Sequence, residues 1–159
     1  MKKIILALFM LLMLLPSMCG AVEPTIKSDK RTFNPLTGVY DLQGHVFVQF
    51  PAQDTMLTIT GDNTKVYLYS MEVHGQGNIT LRFGKMSFKC DKVDVYHSER
   101  TAYVEGNCNF QDNGMVSTSD KGSYCWKTKI ADFQGNVRVN GKASKGAVRY
   151  DVMTKKLVQ

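Results

Sequence analysis

Hydrophobic and polar residues alternate along most of the chain that follows the first 21 residues. Val93 and Val95 are each flanked by polar or amphipathic neighbours, and Val66 and Leu68 show the same spacing. A period of two in segments rich in Val, Tyr, Phe and Thr is typical of strands with one buried face. Beyond residue 21, no segment keeps a 3.6-residue period over ten or more positions. The pattern therefore predicts an all-β chain.

A fourfold repeat organises these strands. In each copy an aspartate stands fifteen positions before a glycine, and the glycine is followed by asparagine or, in the first copy, histidine. The four copies contain Asp29, Gly44 and His45; Asp62, Gly77 and Asn78; Asp91, Gly106 and Asn107; and Asp120, Gly135 and Asn136. A repeated unit of this length indicates an architecture in which each unit packs against the next.

Each unit is interpreted as two strands joined by tight corners. Glycine permits positive φ and asparagine tolerates the left-handed conformation, so the Gly-Asn pairs are predicted to turn the chain sharply. The aspartates are expected to cap turns with their side chains. Polar breaks at 34–35, 70–71, 97–100 and 127–129 are expected to separate the strands. The predicted structural corners are Gly44, Gly77, Asn78, Gly106, Asn107, Gly135 and Asn136.

A fifth copy is incomplete. Ser144 occupies its aspartate position, and Gln159 falls where its glycine would stand. An unfinished repeat leaves strand edges whose backbone groups can pair with another chain. The candidate edges are Ile26 to Phe33 and Leu157 to Gln159.

The first residues predict export. Lys2 and Lys3 precede an apolar run from Ile4 to Leu15, and small residues follow up to Ala21. This order is typical of a secretory signal peptide, and the run is short for a membrane-spanning helix. We expect a signal peptide at 1–21 and one domain at 22–159, with two alternatives open: lipidation at Cys19 and an uncleaved anchor.

The charge and the cysteine content bear on three possibilities: a nucleic-acid partner, a disulfide bond and a zinc site. The whole chain has a formal charge of +6, and without Lys2 and Lys3 the balance is 18 − 14 = +4. The basic residues are scattered, which argues against a nucleic-acid partner. Of the three remaining cysteines, Cys90 and Cys108 are the best candidate disulfide pair, but three free buried thiols are slightly favoured. No two cysteines have the close spacing of a structural zinc site.

The segment from Ile26 to Gln159 resembles the OstA-like family. The resemblance rests on the recurring element Gly-Asn-Val/Ile-x-Val/Leu, present at 77–81 and 135–139, and on polar starts such as Ser119-Asp120-Lys121. Two residues depart from that pattern: His45 replaces the asparagine of the first copy, and Cys108 replaces the aliphatic residue of the third copy. The resemblance implies an open twisted β-jelly roll, here built from about four and a half two-strand repeats.

The same resemblance implies a function. Its members carry lipopolysaccharide across the periplasm, so the implied partners are lipopolysaccharide, an LptC-like component at the inner membrane and an LptD-like component at the outer membrane. Head-to-tail self-association through edge strands is implied as well. The short apolar run at the start of the chain favours a soluble carrier over an anchored LptC-like subunit.

A lipid carrier needs an apolar trough, because exposing a twelve-carbon chain to water costs about 9 kcal/mol at about 0.8 kcal/mol per methylene. The alternating strands supply candidates for its lining, although plain core packing would give the same pattern. The groove-facing candidates are Val46, Val48, Phe50, Val66, Leu68, Ile79, Leu81, Phe83, Val95, Phe110, Tyr124, Trp126, Val137, Val139, Val148 and Tyr150. Candidate rim cations for lipid phosphates are Arg82, Lys85, Arg138 and Lys142.

The sequence carries no sign of catalysis or of a cofactor. His45, His74 and His97 fall at three different repeat positions, with no partner at metal-ligand spacing. No nucleophile elbow, phosphate loop or zincin motif is present. We therefore expect a protein that is not an enzyme and binds no metal. The alternative to a lipid carrier is an exported β-repeat module that binds glycan or protein without lipid.

Overall fold

The computed structural model describes residues 24–158, and the predicted signal peptide, Cys19 and Gln159 lie outside this range. All regular elements in this part of the chain are strands. They are β1 (Thr25–Lys27), β2 (Lys30–Asn34), β3 (Val39–Ala52), β4 (Thr55–Tyr67), β5 (Glu72–Phe83), β6 (Met86–Tyr96), β7 (Thr101–Asp112), β8 (Met115–Cys125), β9 (Ile130–Gln134), β10 (Arg138–Val139), β11 (Lys142–Ala143), β12 (Val148–Asp151) and β13 (Lys156–Val158).

The strands form one open antiparallel sheet in which chain neighbours are sheet neighbours. The order is β1-β3-β4-β5-β6-β7-β8-β9-β12-β13. β2 pairs with the first half of β3, and β1 pairs with its second half. Likewise, β10 pairs with the first half of β8, and β9 pairs with its second half. The pairs β1–β2, β9–β10 and β11–β12 thus each behave as one long strand broken in the middle. The expected all-β, unclosed fold is confirmed.

Each long strand bends at its glycine-asparagine pair. Between β5 and β6 the register runs from Gln76 opposite Lys92 to Ile79 opposite Cys90, so Gly77 and Asn78 face only Asp91. One extra residue in one strand is a β-bulge, which bends and twists the strand. The same shift occurs at Gly44–His45 and Gly106–Asn107. In β3, β5 and β7 these corners therefore lie inside a continuous strand, whereas we had expected them to separate two strands.

A side-chain clasp holds each bend. The Asn78 amide donates to the Asp62 carboxylate at 2.7 Å, and equivalent bonds of 2.8 and 2.9 Å join Asn107 to Asp91 and Asn136 to Asp120. The expectation that these aspartates cap local turns was wrong: the side chain of each reaches the neighbouring strand instead.

The first clasp uses a histidine. His45 Nδ1 lies 2.7 Å from the Asp29 carboxylate, and this hydrogen bond, with the charge of Asp29, raises the pKa of His45. A raised pKa means that the contact favours the protonated ring. Its contribution to stability is complete below the ordinary histidine pKa and is lost as the pH rises through the raised value.

The turns at the strand ends fall into two classes. Four-residue turns at 35–38, 68–71, 97–100 and 126–129 coincide with the four polar breaks, so those breaks are confirmed. Two-residue turns join the opposite ends, at 53–54, 84–85, 113–114 and 140–141. In the last two, asparagine and glycine both have positive φ, as a type I′ hairpin turn requires.

The bends divide the sheet into two layers. The first layer contains β1, residues 46–52, 55–60, 79–83, 86–90, 108–112 and 115–119, β10 and β11. The second contains β2, residues 39–43, 63–67, 72–76, 92–96, 101–105 and 121–125, β9, β12 and β13. Aromatic contacts join them: Phe83 meets Trp126 at 5.6 Å between ring centroids, and Phe110 meets Phe133 at 5.0 Å. Burying such side chains contributes about 1.5–3 kcal/mol each.

The three cysteines of the described segment are free thiols. Cys90 and Cys108 are buried on neighbouring strands beside the bend, in the hairpin that turns at 97–100. Burial raises the pKa of Cys90 to about 12 and that of Cys108 to about 11, so both thiols stay protonated at neutral pH. The slightly favoured prediction of three free, buried thiols therefore holds for Cys90 and Cys108, whereas Cys125 is free but only half-buried.

The clasp requires a glycine beside its aspartate, and this requirement can be tested. Gly106 has φ +79°, and a Cβ there would lie 2.5 Å from the Asp91 carboxylate, whereas Gly114 has φ +88° with nothing within 4 Å. We expect Gly106→Ala to lower the free energy of unfolding by about 2 kcal/mol or more, and Gly114→Ala by about 1 kcal/mol. Urea denaturation measures both. Equal losses in the two variants would show that the aspartate does not constrain the bend.

Candidate functional site

The candidate functional site is the apolar interior between the two layers. Thirteen of the sixteen groove-facing candidates have a side chain at least nine-tenths buried, and three are half-buried. The buried candidates are Val46, Val48, Phe50, Val66, Ile79, Leu81, Phe83, Val95, Phe110, Tyr124, Trp126, Val137 and Tyr150, and the half-buried ones are Leu68, Val139 and Val148.

All sixteen candidates lie on the inner side of the layers, and the middle of the interior is filled by side chains. Phe88, Phe110 and Phe133 are fully buried there, with centroid distances of 4.8 Å between Phe88 and Phe110 and 6.2 Å between Phe88 and Phe133. Contacts of this kind are those of a packed protein core. The middle candidates therefore contact one another, and their contact with a lipid is a proposal.

The interior opens at the end formed by β1 and β2. A cavity of about 460 Å³ lies between these edge strands and the neighbouring halves of β3, β4 and β5. Its volume is within the range of small-molecule sites, about 300–1,000 Å³. We call this cavity the mouth. Its apolar lining consists of Ile26, Phe50, Val66, Leu68, Met71 and Val73.

One cation lies on the inner side of the mouth. Arg31 of β2 is opposite the buried Leu42, so its side chain is on the inner face, and its guanidinium lies 5.9 Å from the Tyr40 ring centroid. Among residues 24–158 it forms no ion pair with a carboxylate. The mouth thus combines an apolar wall with a guanidinium, a group suited to phosphate or carboxylate. Arg31 is not among the residues predicted from the sequence, because its inward direction follows only from its pairing with β3.

The opposite end is partly closed by polar contacts. Asp112 is 3% exposed and accepts hydrogen bonds from the Tyr150 hydroxyl at 3.1 Å and from Lys155 Nζ at 2.6 Å. Burial, followed by the charge of Asp112, raises the pKa of Tyr150 to about 12. Asp54 and Lys129 form a second ion pair, at 2.9 Å, between a first-layer hairpin and a second-layer turn. These contacts hold the layers together at their ends.

The four cations predicted to lie at the groove rim occupy three different places in the structure. Arg82 and Arg138 are exposed on the outer side of the first layer, because their chain neighbours Leu81 and Val137 are buried inside. Their proposed position at the rim was wrong, since they fall on the outward phase of the alternation. Lys85 lies in the turn at 84–85, and Lys142 lies in β11 opposite Val139, at the far edge.

The predicted edges are the edges of the sheet. β1 and β2 form one margin, with β11 and β13 at the other. At the far margin Leu157 is 57% exposed and Val158 is 40% exposed. Both margins carry backbone groups that can pair with an added strand.

Residues 24–158 contain neither a cluster of metal-ligating side chains nor a membrane-spanning helix. No group of three or more His, Cys, Asp or Glu side chains in this segment is placed to hold a metal ion. None of its elements is a helix of the length and hydrophobicity needed to cross a bilayer.

These features define an open, twisted antiparallel β-jelly roll of the LptA type. Among solved structures, the chain is similar to LptH of Pseudomonas aeruginosa, the LptA-homologous periplasmic component of a conserved lipopolysaccharide transport device. The TM-score is 0.65 at 11% sequence identity, covering 74% of this chain and 93% of LptH. The likeness confirms the expected fold. The sequence matches no protein-family model and no curated protein.

The mouth can be tested with an apolar fluorophore such as N-phenyl-1-naphthylamine. Leu68→Glu puts a charge into the mouth, and we expect it to weaken fluorophore binding about tenfold, equivalent to about 1.4 kcal/mol. Val116→Glu makes the same change on the outer face, where Val116 is 38% exposed, and should bind as the unchanged protein does. Fluorescence titration measures both affinities. Unchanged binding by a folded Leu68→Glu variant would exclude the mouth as the site.

Proposed function

We propose that this chain is an exported periplasmic protein that binds lipopolysaccharide and forms part of a bridge from the inner to the outer membrane. It is made with a signal peptide at 1–21, followed by a single domain at 22–159. Its work is binding and transfer, without catalysis or a cofactor.

The observation that carries the proposal is the mouth. It joins an apolar cavity to the sheet margin formed by β1 and β2, where Arg31 offers a cation to an anionic headgroup. A cavity of this size has room for an acyl chain but not for a whole lipid with several chains. Exposing one twelve-carbon chain to water costs about 9 kcal/mol, so even partial shelter has a large effect. The fold shared with LptH supports the same function.

The margins suggest how the bridge is assembled. The margin β1–β2 of one copy pairs with the margin β11–β13 of another, and the mouth then continues into the next interior. An LptC-like component at one end and an LptD-like component at the other would complete the route. Leu157 and Val158, exposed at the far margin, would be covered in such an assembly.

The closed middle of the interior favours a second candidate function. Because Phe88, Phe110 and Phe133 pack together, the same fold also serves an exported module that binds glycan or protein and carries no lipid. The two functions differ in what enters the interior. A carrier must let an acyl chain reach inner residues, whereas a module needs no such access.

Photocrosslinking in cells separates these functions. A benzophenone amino acid replaces Phe50 in the mouth, Phe110 in the middle or, as the control, Phe47 on the outer side of the same strand as Phe50. A carrier gives lipopolysaccharide adducts at Phe50, and at Phe110 if the lipid passes through the whole roll, but none at Phe47. Depletion of the protein should also leave newly made lipopolysaccharide at the inner membrane.

Protein adducts alone at all three positions, with normal lipopolysaccharide export after depletion, would contradict the carrier and favour the module. The benzophenone side chain is larger than that of phenylalanine, and added volume in a packed core is destabilising. Circular dichroism of the purified variants therefore has to show folded protein before a missing adduct at the buried Phe110 counts against the carrier.

A further inference from the structure

The two outer faces of the roll differ in charge. On the second layer, four cations are paired with carboxylates: Lys65 with Asp41 at 3.6 Å, Lys121 with Glu105 at 3.0 Å, and Lys92 with Asp94 and Arg149 with Asp132 at 2.7 Å each. These pairs neutralise that face. The outer face of the first layer is arranged differently.

The first-layer face carries cations without carboxylates. Lys27 of β1, Arg82 of β5, Lys89 of β6 and Arg138 of β10 all point outward and are exposed. Within residues 24–158, no outward position of a first-layer strand is Asp or Glu, and none of the four cations has an ion-pair partner. We call these four cations and their face the basic face.

The rest of the basic face also suits a surface contact. Its other outward positions are mostly hydroxyl and amide side chains, such as Thr58, Thr80 and Gln111. Met56, 41% exposed, and Val116, 38% exposed, add two apolar side chains in the same plane. Cations spread across several strands between hydroxyl groups match a plane of phosphate headgroups. They lack the continuous stripe that follows a nucleic-acid backbone.

We propose that the basic face docks the protein on an anionic phospholipid bilayer surface. The cations approach the phosphate headgroups, while Met56 and Val116 contact the interface. Each cation near an anionic surface strengthens binding about fivefold, an effect that salt screens. The docking surface is separate from the mouth, so this proposal stands or falls independently of the lipid-carrier function.

Co-sedimentation with vesicles tests the proposal. The exported protein is mixed with vesicles of phosphatidylethanolamine and about 30% phosphatidylglycerol, or with phosphatidylcholine alone. We expect salt-sensitive binding to the first vesicles and little to the second. Arg82→Gln, Lys89→Gln and Arg138→Gln together should reduce partitioning about 100-fold, about fivefold for each cation.

The matched control is Lys65→Gln, Lys92→Gln and Lys121→Gln, which removes the same net charge from the opposite face. It should change partitioning by no more than about threefold, and circular dichroism checks that both triple variants are folded. Equal loss in both variants would overturn the proposal, because net charge and not the basic face would then be responsible. Binding to soluble polyphosphate but not to the vesicles would overturn it as well.

Discussion

The fold depends on one repeated interaction, the hydrogen bond from an asparagine or histidine side chain to an aspartate across a glycine bulge. The glycine supplies a positive φ, and it leaves space for the carboxylate that a Cβ would occupy. The aspartate holds the extra residue of the bulged strand in place. Without this constraint a strand of twelve or so residues would continue straight into a single flat layer, which would leave the apolar face exposed to water.

Repetition of that bend produces the two layers and the interior between them. Since every long strand contributes to both layers, the interior runs along the whole roll and ends wherever the repeat ends. At the N-terminal margin β1 and β2 are short, and the space beneath them is the mouth. At the other end Asp112, Tyr150 and Lys155 join the layers. The same geometry explains why one end is open and the other partly closed.

Much of the fold could be predicted from the sequence, because the repeat and its alternation fix the all-β class, the polar breaks and the edges. The course of the chain at the corners could not be predicted, since Gly-Asn pairs are typical both of turns and of bulges and the choice depends on pairing across sixteen residues. The Asn113-Gly114 and Asn140-Gly141 turns had a recognisable signal that the repeat obscured. In the candidate site, the alternation assigns the apolar candidates to one face of each strand, whereas the inward direction of Arg31 and the outward direction of Arg82 follow only from the strand register.

The central claim is that the bent layers enclose an apolar space that an acyl chain can enter from the β1–β2 margin. A crystal structure of the protein with bound lipopolysaccharide tests this most directly. Our account predicts an acyl chain between the layers, in contact with Phe50 and Val66, and a headgroup phosphate near Arg31. A lipid found only on the outer surface, with the mouth occupied by the protein's own side chains, would contradict it.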